Sequence, residues 1–99
     1  MLTHSLFVRL EAKPGKEEDV AAFLKQGLQL AQQEATTPLW LALRLSKSTF
    51  AIFDSFNSEA GRQTHLNGPI AKALMAQAPN LLSAPPTIEP LDVLGSKLP

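Results

Sequence analysis

The segment LWLALRLSKSTFAIFDSF, residues 39–56, constrains the fold of this chain more than any other stretch. Leu39, Leu41, Leu43 and Leu45 alternate with Trp40, Ala42 and Arg44, and a period of two is that of a strand. After the short SKS turn, Phe50, Ile52, Asp54 and Phe56 alternate with Ala51, Phe53 and Ser55, which predicts an antiparallel hairpin. Antiparallel sheets commonly turn one polar face to water. Here both sides of both strands are largely apolar. Whichever side helices cover, apolar side chains remain on the other, and a patch of that kind marks an interface. The expected solution is a second copy packed sheet against sheet in an isologous two-fold dimer.

The flanking segments complete the pattern. Leu6, Val8, Leu10 and Ala12 alternate with Phe7, Arg9 and Glu11, a strand ended by Pro14-Gly15. KEEDVAAFLKQGLQLAQQE then places Val20, Phe23, Leu24, Leu28 and Ala31 on one helical stripe, with acidic residues in the first turn. Residues 35–38 form a loop. After the hairpin, Asn57 or Ser58 caps a helix through AGRQTHL that breaks at NGP. Pro69 opens a second helical piece, PIAKALMAQA, expected to stop before Pro79. NLLSAPP reads as a linker and TIEPLDVLGSKL as a last strand. Pro90 there demands an edge position or a bulge, and Gly95 suggests a second irregularity. The order βαββαβ is that of the ferredoxin-like α+β fold, a four-stranded antiparallel sheet with helices on one face. At 99 residues the chain is expected to be a single domain over 1–99.

Composition excludes several function classes. Nine basic and nine acidic residues give a formal net charge of zero, without the basic footprint of a nucleic-acid binder. With no cysteine there is no disulfide, thiolate nucleophile or Cys-based metal site, and with no tyrosine no phenol can act as acid or base. Two isolated histidines make a poor ligand set, so no metal is expected. Charges at Arg9, Glu11 and Lys13 argue against a signal peptide, and the longest uncharged stretch, Ala73–Ile88, is broken by prolines. A cytoplasmic protein without a membrane partner is expected.

FVRLEAKPGKEEDVAAFL, the hairpin, and SEAGRQTHLNGPIAKAL together resemble the antibiotic biosynthesis monooxygenase family of dimeric α+β barrels, over nearly the whole chain. The resemblance implies a homodimer with a small aromatic substrate and no cofactor. Members of that kind oxidise phenols, anthrones or quinols with O₂. The haem-degrading branch of the family is excluded, because Val8, His65 and Met75 stand where that branch has Asn, Trp and the iron-ligating His.

On this reading His65 is the candidate base, since an imidazole titrates near neutrality. His4 falls in an unstructured leader. Trp40 and Arg44 share a strand face, a flat wall with a guanidinium that suits a planar oxygen-bearing substrate. The competing reading of the pair is a core indole and an interface arginine. Asp54, an acid on an apolar face, is expected to pair with Arg44 or to line a polar cavity. Asn67 is a candidate donor to a substrate oxygen, or shapes the helix break. The phenylalanines and Met75 are read as core. The alternatives to an oxygenase are a non-catalytic barrel that binds an apolar ligand or partner, and a proton-transfer enzyme that turns over without O₂.

Overall fold

The computed structural model describes residues 1–99. The chain folds as β1 (His4–Glu11), α1 (Glu17–Ala31), β2 (Leu39–Arg44), β3 (Thr49–Phe56), α2 (Glu59–Leu66), α3 (Pro69–Leu81) and β4 (Thr87–Asp92). The strands form one antiparallel sheet in the order β2-β3-β1-β4, the ferredoxin-like arrangement. β4 lies at an edge, which accommodates Pro90, a residue with no amide hydrogen to donate.

Register decides which apolar face the helices take. Leu6, Val8 and Leu10 lie opposite Asp54, Ile52 and Phe50, and these in turn lie opposite Trp40, Ala42 and Arg44. The helices cover this side. Val20 and Leu24 of α1 and Leu74 and Ala78 of α3, at helical intervals of four, close the core over Val8, Leu10, Phe50 and Ile52. The other face carries Phe7, Leu39, Leu41, Leu43, Phe53 and Leu91, with Leu41 47% and Leu43 40% exposed. The chain therefore has the two-sided apolar sheet its hairpin implies.

Several local expectations are corrected. His4 opens β1 rather than lying in a leader, because its backbone pairs with both Phe56 and Asp92. α3 runs through Pro79 to Leu81. Pro79 sits in the last turn, and the end is held from outside, with Lys13 Nζ donating to the Pro79 carbonyl (2.6 Å) and Lys13 N to that of Leu81 (2.8 Å). Met75 is 56% exposed, and Phe53 lies on the open face, while Phe50 and Phe56 are core. No helix is long and apolar enough to cross a membrane.

Candidate functional site

Three segments remote in sequence meet beneath the helices. β3 places Asp54 on the covered face opposite Trp40, where it is fully buried. A lone carboxylate there would bear a large desolvation penalty. α2 supplies the partner. Ser58 Oγ accepts the Gly61 amide hydrogen and fixes the start of α2, and Arg62 ties the helix to the sheet by donating to the carbonyls of Ser5 and Leu91. The last turn then carries His65 inward, against the ring of Phe56. The third member, Glu34, comes from the loop after α1.

His65 stands between the two acids. Its Nδ1 lies 2.6 Å from Glu34 Oε1 and its Nε2 2.9 Å from Asp54 Oδ2. Thr37 Oγ1 donates to the same Glu34 oxygen at 2.8 Å. The Asp54 contact is close enough for an ion pair but lacks hydrogen-bond alignment, so neither Asp54 oxygen has a hydrogen-bond partner. Glu34 Oε2 and Trp40 Nε1 are likewise buried without one.

Burial by itself pushes the His65 pKa down, but the Asp54 and Glu34 carboxylates overturn that effect and raise it above the ordinary imidazole value. The site thus favours an imidazolium flanked by two carboxylates, hydrogen-bonded to Glu34 and ion-paired with Asp54. Its position in the last turn of α2, at the negative end of the helix dipole, favours the cation further.

Two glycines lie against this arrangement, and Gly68 makes room for it. A Cβ on Gly27 would stand 3.4 Å from the Trp40 ring, so α1 rides directly on the indole. A Cβ on Gly68 would stand 3.2–3.3 Å from the carbonyl oxygens of Thr64 and His65 and 3.5 Å from Glu34 Oε2. Beside the cluster, a cavity of about 310 Å³ is lined by Leu28, Ala31, Glu34, Thr37 and Trp40, among others. No three or more His, Cys, Asp or Glu side chains are grouped so as to hold a metal ion.

Of the residues singled out in the sequence, the fold brings His65, Asp54 and Trp40 together and holds Arg44 and Asn67 apart. Arg44 lies opposite Phe50, stacks on that ring, and donates to Glu18 Oε2 of α1 at 2.8 Å on the surface. The expected Arg44–Asp54 pair does not form, because the hairpin register sets Trp40, not Arg44, opposite Asp54. Asn67 is exposed and donates to the Gln63 carbonyl of its own helix. Glu34 was not recognisable beforehand. In QQEATTP it reads as one more polar loop residue, and nothing local signals an acid aimed inward.

No protein-family model matches the chain, and no curated protein does. Among solved structures, a protein of unknown function from Nitrosomonas europaea, NE2512, is 56% identical with a TM-score of 0.98, covering 100% of this chain and 96% of that one. Rv0793 from Mycobacterium tuberculosis is 17% identical with a TM-score of 0.83, over 95% and 97% of the two chains. A provisionally named antibiotic biosynthesis monooxygenase, also from Nitrosomonas europaea, is 11% identical with a TM-score of 0.82, over 93% and 90%. The first is a relative in sequence. The other two share the fold.

Proposed function

Since the chain belongs to one family with the Nitrosomonas europaea NE2512 protein and has the fold of proteins named as antibiotic biosynthesis monooxygenases, we propose that it is a cofactor-independent monooxygenase that oxidises an electron-rich aromatic, a phenol, anthrone or quinol, with O₂. The observation that carries this reading is the Glu34–His65–Asp54 triad beside a cavity walled by Trp40. An imidazolium between two carboxylates leaves one net negative charge in a buried site.

Glu34 Oε2 is the acceptor left for a substrate proton. Both ring nitrogens of His65 already face carboxylates, whereas Glu34 Oε2 has no partner. Glu34 is therefore the base, and His65, itself paired with Asp54, holds it in position. Taking an anthrone as the example, Glu34 removes a proton from the ring CH₂. The resulting anion reduces O₂ and bonds to it as a peroxide anion. That anion takes the proton back from Glu34 and loses water to leave C=O. The sum is CH₂ + O₂ → C=O + H₂O, with Glu34 restored. Arg44 and Asn67, engaged with Glu18 and Gln63, have no part in this scheme.

The same reading includes a cytoplasmic homodimer in which a second copy covers the open sheet face. The exposed Leu41 and Leu43 support it.

Oxygen uptake tests the proposal, with a panel of anthrones and hydroquinones supplied to wild type and to Glu34→Gln. Wild type is expected to consume O₂ with at least one of them, and the substitution to slow uptake by about 100-fold or more, the usual effect of removing a general base. No uptake with any substrate, or uptake unchanged by Glu34→Gln, refutes it. One observation favours the alternative of a non-catalytic ligand-binding barrel: the full engagement of His65 also suits a purely structural ion pair. That alternative predicts binding without uptake.

A further inference from the structure

The orphaned polar atoms around the triad specify a ligand chemistry. Trp40 Nε1 is a donor and Glu34 Oε2 an acceptor; both are buried, neither has a partner, and both residues line the same cavity of about 310 Å³. A buried polar atom without a partner carries its full desolvation penalty, so a ligand group that reaches it recovers that penalty. We propose that Trp40 Nε1 and Glu34 Oε2 are the hydrogen-bonding pair that selects a hydroxyl-bearing aromatic ligand. This deepens the oxygenase reading and rests on the same site.

The pairing logic discriminates between ligand classes. A hydroxyl oxygen accepts from the indole N–H while its hydrogen goes to the carboxylate, and two hydroxyls on one ring serve equally well. An ether, or a ketone that cannot enolise, accepts only, which leaves Glu34 Oε2 without a donor. A carboxylate ligand meets Glu34 and Asp54 as like charges. The cavity volume is at the lower end of the range for small-ligand sites. Leu28, Ala31 and Trp40 give it an apolar wall, and Gln32, Glu34 and Thr37 a polar one, which suits an aromatic body carrying a polar group. Neither orphan atom is open to solvent, so the ligand reaches them by displacing lining side chains.

Calorimetric titration with 2-naphthol, 2-methoxynaphthalene and 2-naphthoate tests the pair. Wild type is expected to bind the naphthol about ten-fold or more tighter than its methyl ether, and the naphthoate weakest. Trp40→Phe keeps the aromatic wall and removes the donor. Glu34→Gln replaces the acceptor. Each is expected to bring naphthol and ether to within about three-fold of one another, mainly by weakening the naphthol. Equal affinity for the three probes in wild type, no binding of any, or a naphthol preference that survives both substitutions overturns the proposal. Its failure is separable from that of the oxygenase reading. Hydroxyl selectivity without oxygen uptake removes the oxygenase reading alone, and uptake by a protein indifferent to the hydroxyl removes this inference alone.

Discussion

Raising the pH through the titration of His65 should destabilise the fold. The imidazole side chain is 7% exposed and faces Glu34 from the loop after α1, Asp54 from β3 and the neutral ring of Phe56. The titratable groups against it are thus two acids and no base. Its folded pKa is raised above the ordinary value of 6.5. A proton held more tightly by the folded than by the unfolded state contributes stability that is fully present below the unfolded pKa. That stability is lost as pH rises through the folded pKa. Between the two values the folded chain holds up to one extra proton, so the free energy of unfolding should fall by at most about 1.4 kcal/mol per pH unit. Urea denaturation at half-unit intervals from pH 5 to 9 measures this directly. Trp40 is the only tryptophan and there is no tyrosine, so its emission reports unfolding without interference. His65→Gln should flatten the profile above pH 6.5 while lowering stability below it. A wild-type profile that is level or rising from pH 6.5 to 8, or a slope that persists in His65→Gln, would show that the ion-paired imidazolium is not what holds this site together.

Two further substitutions probe the scaffold. Gly27→Ala should raise stability by up to about 1 kcal/mol in urea melts, because helix propensity improves and the new methyl meets Trp40 at an ordinary contact of 3.4 Å; Gly27→Leu should instead displace the indole, seen as a shift in Trp40 emission. If the proposed homodimer forms through the open sheet face, replacing Leu41 and Leu43 there together by lysine should leave the helix-covered core intact yet halve the mass measured by sedimentation. A wild-type protein of single-chain mass, or a mass unchanged by the substitutions, would refute that interface.

Much of the fold was legible because each element carries its own local cause. The βαββαβ order follows from periodicity and turn residues, and the cap at Ser58, Pro69 at the first position of α3 and Pro90 in an edge strand each follow from what one residue can or cannot do with its backbone. Asp54 and His65 could be singled out because an acid on an apolar strand face and a histidine near a helix break are chemically conspicuous.

The sequence by itself therefore determined the strands, the helices and a sheet greasy on both sides. Only the tertiary structure decided which side the helices would cover, since the hairpin is apolar on both and the choice came from pairing Val8 and Leu10 with Ile52 and Phe50. The same register set Trp40 opposite Asp54 and left Arg44 to Glu18. It also took the fold to bring Glu34, 31 positions away from His65, against the imidazole. The physical reason is that periodicity and propensity act over a few neighbouring residues, whereas a buried ion pair is chosen by which charges the packed chain encloses together, away from water.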